Sequence, residues 1–189
     1  MIEFIEDTHT YLVNGVITPS VSTILGSTIF SNKYYGVKKE TLDAAASFGT
    51  NVHKAIELDN PFGLDSEEMK AYDTYLELTF EEGIKPVSQE MIVHYGEQYA
   101  GTLDMIANWN GVLSLGDIKT TYQLDTEYLS WQLSLYEKAY CDLFKKPKFE
   151  KLFCIWLPKK RKGKVVEIKR KTGEEINELL KNYYKLYDL

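Results

Sequence analysis

Two apolar-rich segments joined by an Asn-Gly pair constrain the fold of this chain more than any other feature. Residues 98–108 and 112–119 each have the composition of a β-strand, and Asn110–Gly111 lies between them. Asn-Gly between two such segments is a strong signal for a tight antiparallel hairpin, because both residues readily adopt the positive φ angles of that turn. Residues 87–93 are also typical of a strand, so the centre of the chain predicts a three-stranded meander.

Helical patterns flank this meander on both sides. The predicted helices are 38–58, 66–82, 126–144 and 174–187, and a further strand pair is predicted at 149–157 and 163–169. Near the start, residues 2–17 predict a short hairpin with turn signals at Asp7–Thr8 and Asn14–Gly15, and Ser20 can cap a short helix. This order of elements predicts an α/β or α+β fold around a mixed central sheet.

The chain length, the N-terminus and the cysteines limit the classes of protein to which this chain could belong. The chain has 189 residues, so we expect one domain over 1–189, with an N-terminal embellishment at 1–37 and the core at 38–189. The N-terminus is acidic where a secretory signal is basic, and no apolar run approaches a membrane span, so we expect a soluble, intracellular protein without membrane contact. Cys141 and Cys154 are expected to be buried, reduced thiols.

Acidic and basic side chains are concentrated at one end of the predicted hairpin. Asp117 and Lys119 point the same way because side chains alternate along a strand, whereas Ile118 points into the core. Folding about the Asn-Gly turn brings Asp104 of the neighbouring strand towards Asp117. Magnesium prefers oxygen ligands and typically takes one or two carboxylates in proteins. The pattern is therefore consistent with a magnesium site, although an isolated Asp-x-Lys on a strand is more often a surface ion pair.

Three further groups of residues could contribute to this site. His53 and Glu57 lie four residues apart and share one face of a predicted helix. Gln132 and Tyr136 have the same spacing on the helix that follows the Asp-x-Lys strand. Glu90, on the strand before the hairpin, is either a metal ligand, a support for one, or an ordinary strand charge. Taken singly, a helical histidine such as His53 more commonly has a structural role, Tyr136 is typical of a core aromatic residue and Gln132 of a solvated polar one.

In combination, these residues resemble the motifs of the PD-(D/E)XK nuclease superfamily, and within it the RecB-type and phage exonuclease branch. The matching segments are, in chain order, 49–57 (GTNVHKAIE), 101–104 (GTLD), 117–121 (DIKTT) and 132–136 (QLSLY). Segments 9–15 (HTYLVNG) and 18–22 (TPSVS) also resemble the N-termini of phage-encoded members. Each segment is weak alone, but four in the right order make the resemblance specific over residues 45–140.

The resemblance implies a restriction-endonuclease-like αβββαβ core with a metal site on the sheet. It implies metal ligation by His53, Asp104, Asp117 and the backbone carbonyl of Ile118, and catalytic roles for Asp104, Asp117, Lys119, Gln132 and Tyr136. Glu57 and Glu90 are expected to support these ligands. The implied metal is Mg²⁺, with Mn²⁺ able to substitute. The iron–sulfur cluster of some relatives is excluded, since it needs four cysteines and this chain has two.

The activity that the resemblance implies is that of a deoxyribonuclease. We expect an exonuclease that acts on linear DNA in phage or mobile-element recombination or repair, in the cytoplasm of a bacterial or phage-infected cell. A structure-specific or single-strand endonuclease and a catalytically silent nucleic-acid-binding module are the alternatives. DNA is the expected partner, and family analogy adds a homo-oligomer and a phage recombinase.

The distribution of charge bears on DNA contact. The net charge is −6, yet residues 145–171 contain twelve of the 22 Lys and Arg and carry +10, so the remainder carries −16. A charge run is usually a solvated face. Beside a site that cuts phosphodiester bonds, however, the loop of Lys159, Lys160, Arg161 and Lys162 is expected to contact the DNA backbone.

Overall fold

The computed structural model describes residues 1–187, so the last two positions of the predicted 1–189 domain lie outside the described residues. The strands are β1 (Ile2–Ile5), β2 (Thr10–Val13), β3 (Val16–Thr18), β4 (Ile84–Tyr95), β5 (Tyr99–Trp109), β6 (Val112–Lys119), β7 (Lys151–Trp156) and β8 (Lys164–Ile168). The helices are α1 (Val21–Ser27), α2 (Lys39–Glu57), α3 (Ser66–Glu81), α4 (Thr126–Phe144) and α5 (Gly173–Leu186). Every predicted element forms, and β3 adds a third strand to the predicted N-terminal hairpin.

The central sheet is mixed and has five strands in the order β4-β5-β6-β7-β8. Strands β4, β5 and β6 pair antiparallel, as do β7 and β8, whereas β6 and β7 run parallel. Parallel neighbours need a long crossover, which α4 provides. A helical pair, three strands, α4 and β7 follow one another in the αβββαβ order, so the predicted fold class is confirmed.

Helices cover both faces of this sheet, so its strands are buried on two sides. On one face, α1, α4 and α5 pack on residues such as Leu103 and Leu115. On the other face, α2 and α3 pack on Met105, Ile118 and Phe153. Within the chain that the structure describes, no helix is both long and apolar enough to cross a membrane.

The tight turn of the β5–β6 hairpin sets the register of the sheet. Asn110 and Gly111 both have positive φ, +50° and +93°, as the Asn-Gly pair predicts. The ladder then runs from Trp109 opposite Val112 to Met105 opposite Gly116. The turn therefore determines which residues of β5 and β6 are neighbours at the far end of the hairpin.

The small N-terminal sheet is fixed to the central one by a few buried contacts. Strands β1, β2 and β3 pair antiparallel. Tyr11 and Val13 of β2 pack on Ala100 of β5, and the Tyr11 hydroxyl lies 2.9 Å from Thr102 Oγ1. The Ser20 side chain accepts a hydrogen bond from the Thr23 backbone N–H at the start of α1, as expected of a helix cap.

Gly116 controls how closely β7 approaches β6. A Cβ atom at this position would lie 2.3–2.8 Å from three ring atoms of Phe153, the residue opposite it on β7. Phe153 is fully buried, so its ring has little room to move. The absence of a side chain at Gly116 therefore sets the packing next to Asp117.

We predict that Gly116→Ala lowers the free energy of unfolding by about 1–3 kcal/mol, because the new methyl group overpacks the core. Gly26→Ala is the matched control, since a Cβ there meets nothing within 4 Å and alanine favours the helix α1. Urea unfolding of both variants measures the difference. Equal stability of the two variants would show that Phe153 accommodates the methyl group.

Candidate active site

Asp104 lies where the regular pairing of β5 and β6 ends. The ladder stops at Met105 opposite Gly116, and Asp104 is the next residue on β5. Its Oδ2 atom accepts a hydrogen bond of 2.7 Å from the backbone N–H of Ile118. This bond fixes the Asp104 carboxylate beside the segment that carries Asp117 and Lys119.

Three residues from separate elements could hold one divalent cation. His53 of α2, Glu90 of β4 and Asp104 of β5 offer ligand atoms that all lie within 4.8 Å of one another. His53 Nδ1 is 3.8 Å from Asp104 Oδ2, and His53 Nε2 is 3.0 Å from the Ile118 carbonyl oxygen. Two carboxylates and an imidazole are suitable ligands for such an ion. The structure brings His53 and the Ile118 carbonyl together with Asp104.

Glu90 occupies an irregular position in its strand. Gln89 pairs with Met105 and Met91 with Leu103, so Glu90 stands opposite Asp104 but outside the regular ladder. Its φ of +48° is uncommon for a residue with a side chain, and such strain is concentrated at functional sites. The sequence left its role open, and the structure places it with the ligand group.

The carboxyl of Glu90 also has a perturbed pKa. Burial raises it to about 7, with smaller contributions from Asp104, Glu57 and Asp117. Glu57, one turn beyond His53 on α2, is thus close enough to act on the site through its charge. Carboxylates crowded together in this way are a common feature of functional sites, since a cation relieves their repulsion.

Asp117 and Lys119 form an ion pair at the end of β6. Lys119 Nζ lies 2.8 Å from Asp117 Oδ1 and 2.7 Å from Oδ2, but only the Oδ1 contact has hydrogen-bonding geometry. Burial raises the pKa of Asp117, and the Lys119 ammonium opposes that rise. Burial acts to lower the pKa of Lys119, but Asp117 and Asp104 outweigh it and raise this pKa above its usual range. Lys119 is therefore protonated at neutral pH.

Gln132 and Tyr136 lie beside this ion pair on α4. Gln132 Nε2 donates to the Tyr136 hydroxyl at 3.4 Å. A Cβ at Gly101 would lie 2.6 Å from the Tyr136 ring, so the glycine of the GTLD segment makes room for this tyrosine. Burial raises the pKa of Tyr136 far above its usual range, with Asp104, Asp117 and Lys119 all near enough to influence it.

Two buried polar atoms in this site lack a hydrogen-bond partner. Among residues 1–187, the buried side-chain oxygens without a partner are Asp117 Oδ2 and Gln132 Oε1. Leaving a buried oxygen unpaired costs roughly 1–3 kcal/mol, and native structures rarely do so. The Lys119 ammonium, 2.7 Å away, offsets this cost for Asp117 Oδ2, so the cost falls on Gln132 Oε1. An unpaired oxygen at this position fits a site that receives a metal ion, its water molecules or a substrate group.

Lys33 is a neighbour of the site that sequence analysis missed. It lies between α1 and α2, and its Nζ atom is 3.0 Å from Asp125 Oδ2 and 3.4 Å from the ring centroid of Tyr128. Burial lowers the pKa of Lys33, Asp125 opposes this, and the nearby Lys119 ammonium adds to the lowering. The segment around Lys33 has no periodic pattern, so only its basic and aromatic residues could have drawn attention to it.

The four residues of the basic loop have different surroundings. Lys159 Nζ is 3.2 Å from Glu67 Oε2 and 4.0 Å from the ring centroid of Phe48, so it is engaged within the protein. Arg161 stacks on Tyr122, with its Cζ atom 4.6 Å from the ring centroid. Lys160 and Lys162 are exposed. The loop therefore packs next to the residues that follow Lys119.

The two cysteines are free, and their burial differs. Cys154 is fully buried, as expected, and lies opposite Asp117 in the parallel pairing of β6 and β7. Cys141 is only partly buried, because it lies near the outer end of α4. The expectation of full burial is therefore wrong for Cys141.

Comparisons with known proteins concern the fold. The sequence matches no protein-family profile. No curated protein matches it either. Among solved structures, the chain is similar to a protein from Eubacterium rectale named as a candidate exonuclease, with 14% identity and a TM-score of 0.49 over 90% of this chain and 79% of that one. It is also similar to the protein SSO0001, with 19% identity and a TM-score of 0.40 over 63% of this chain and 58% of that one.

We predict that the unaltered protein binds Mn²⁺ in isothermal titration calorimetry. Asp104→Ala should abolish this binding, and Glu90→Gln should weaken it at least about tenfold, because each removes an anionic oxygen from the ligand group. Glu81→Gln, a change of the same kind at the exposed end of α3, should leave the affinity unchanged. If Glu90→Gln binds Mn²⁺ as tightly as the unaltered protein, Glu90 is not a ligand of the ion.

Proposed function

We propose that this chain is a metal-dependent nuclease that hydrolyses phosphodiester bonds in DNA. The observation that carries the proposal is the convergence of His53, Glu90 and Asp104 beside the ion pair of the buried Asp117 with Lys119. A cation site next to a fixed ammonium suits a reaction in which negative charge develops on phosphate oxygens. The resemblance to the PD-(D/E)XK superfamily supports the same chemistry.

His53, Glu90 and Asp104 would hold the divalent ion, which we propose to be Mg²⁺ with Mn²⁺ as a substitute. Asp117 Oδ2, whose close partner is the Lys119 ammonium at 2.7 Å, would be a further oxygen for the ion or for a water molecule. When bound, the ion would lower the pKa of a coordinated water and neutralise charge on the phosphate. Glu90 thus joins the ligands that the resemblance implies.

Lys119 would act through its charge. Asp117 and Asp104 favour its protonated form, so we assign the activation of water to the ion and the stabilisation of charge to Lys119. It can donate hydrogen bonds to a phosphate oxygen or to the attacking water, and Asp117 holds it in place for this. Gln132, with an unpaired buried oxygen, and the Tyr136 hydroxyl would orient groups on the same side of the ion.

Finer features of the function rest on the resemblance. We propose an exonuclease that acts on linear DNA in phage or mobile-element recombination or repair. The endonuclease alternative shares the chemistry and differs in its DNA path, so a closed circular substrate separates the two. A homo-oligomer, a phage recombinase as partner and a cytoplasmic location stay predictions.

The basic loop is proposed to contact the DNA backbone. Lys160 and Lys162 are exposed and free to meet phosphates, whereas Lys159 is paired with Glu67. Arg161 lies on Tyr122, three residues after Lys119. Contact with phosphates releases counterions, so binding through this loop should depend on salt.

We predict that the protein with Mg²⁺ releases nucleotides from end-labelled linear duplex DNA and leaves covalently closed circles intact. Chelation should abolish the activity. Asp117→Asn and Lys119→Met should each lower the rate at least about a hundredfold. The first removes the carboxylate that positions Lys119, and the second removes the ammonium that stabilises negative charge on the phosphate.

A matched control is available for this assay. Asp142 and Lys145 form an exposed Asp–Lys pair at the other end of α4, with 3.1 Å between Lys145 Nζ and Asp142 Oδ1. Asp142→Asn and Lys145→Met should retain full activity. Circular dichroism of every variant establishes that it is folded. Full activity of folded Asp117→Asn or Lys119→Met would refute the assignment of the site.

We also predict that Lys160→Gln combined with Lys162→Gln weakens DNA binding and reduces its salt dependence. Each lost phosphate contact should lower the slope of log affinity against log salt concentration by about 0.9. The affinity for Mn²⁺ should stay unchanged. Lys145→Gln combined with Lys146→Gln removes the same charge far from the site and serves as control. Equal slopes of log affinity against log salt concentration for the two double variants would show that the loop is an ordinary solvated surface without DNA contacts.

A further inference from the structure

The loop between β6 and α4, residues 120–125, is held by contacts from distant parts of the chain. Arg161 of the basic loop stacks on Tyr122 at its centre. Lys33 binds Asp125 at its end, with 3.0 Å between Lys33 Nζ and Asp125 Oδ2. The Trp156 indole N–H donates to the Thr121 carbonyl at 2.7 Å. The residues that follow Lys119 are thus fixed between two cations.

Tyr122 remains accessible within this arrangement. Its side chain is 66% exposed, so the Arg161 guanidinium on one face of the ring leaves the other face open to solvent. Single exposed aromatic residues are ordinary on protein surfaces. Here, however, Tyr34 and Tyr35 are also exposed, at 60% and 90%, directly after Lys33 in sequence.

Rings and cations together indicate what kind of strand approaches the site. A duplex presents its phosphates outward and keeps its base faces stacked on each other, so cations alone suffice to bind it. An unpaired strand has free base faces, which stack on aromatic side chains, while its phosphates meet basic residues. An open tyrosine ring fixed by an arginine next to Lys119 suits an unpaired strand.

We propose that this site takes single-stranded DNA, with a base stacked on Tyr122 and an adjacent phosphate in contact with Arg161, while Lys33 holds the loop through Asp125. This inference rests on the proposed nuclease function, because it places the unpaired strand at the same catalytic lysine. It also specifies the substrate of that function. At a duplex end, the terminal nucleotides have to separate from their partner strand before they reach the site.

The test is DNA binding measured by fluorescence anisotropy in EDTA, where no cleavage takes place. The probes are a fluorescein-labelled 20-nucleotide poly-dT strand and a 20-base-pair duplex. The unaltered protein should bind the single strand more tightly than the duplex. Tyr122→Ala should weaken single-strand binding by about five- to a hundredfold, which is the effect of losing one base stack. Tyr122→Phe should bind like the unaltered protein, since it keeps the ring.

Phe144→Ala is the matched control. Phe144 is 43% exposed and ends α4, so the whole length of this helix separates it from Asp125 and the loop of Tyr122. Its loss should not affect binding. Equal single-strand affinity of Tyr122→Ala and Phe144→Ala, or tighter binding of duplex than of single strand, would overturn the inference.

Failure of this inference is distinguishable from failure of the proposed function. Absence of Mg²⁺-dependent cleavage by the unaltered protein would contradict the nuclease proposal, and it is observed in a separate assay. Cleavage by the unaltered protein together with unchanged binding by Tyr122→Ala would contradict the stacking surface alone.

Discussion

The burial of the Asp117 carboxylate is the constraint on which the candidate site depends. Strand β6 lies in the middle of the sheet with helices on both faces, and Asp117 is 1% exposed. A carboxylate in such surroundings is stable only when a partner compensates its lost hydration. The Lys119 ammonium provides that compensation, and it is held in place as a result. Asp117 and Lys119 thus stay paired because the helices that cover the sheet keep water away from the Asp117 carboxylate.

Much of the fold could be predicted because its signals are local. The Asn110–Gly111 turn, the strand composition around it and the helical periodicities each depend on residues close in sequence. The same hairpin brings Asp104 to the segment of Asp117 and Lys119. Two further neighbours of the site had no such signal. Glu90 owes its position to a positive φ that interrupts its strand, and Lys33 reaches the site from a segment without periodicity.

Two glycines of the motif-like segments have a packing explanation. Gly101 leaves space for the Tyr136 ring, and a Cβ at Gly49 would lie 3.1 Å from Thr120 Oγ1, just after β6. Both therefore mark places where one element approaches another closely. In the segments that resemble the superfamily, these two glycines let α2 and α4 approach the sheet closely. Other residues of the same segments supply the carboxylate, imidazole and ammonium groups of the candidate site. Sequence alone could not separate these two roles, because close approach is a property of the assembled layers.

Helix α4 links the site to a second buried charge. Tyr136 packs over Gly101, and the adjacent Glu137 is 2% exposed and bonded to Arg170, with 2.6 Å between Arg170 Nε and Glu137 Oε2. Glu137 also accepts a hydrogen bond from the Phe149 backbone N–H. A rotation of the helix that withdraws Tyr136 would break these bonds and leave a charge unpaired in the interior. The orientation of α4 is therefore preorganised: the position of Tyr136 in the candidate site is set when the chain folds, and a ligand that binds there needs no rotation of the helix.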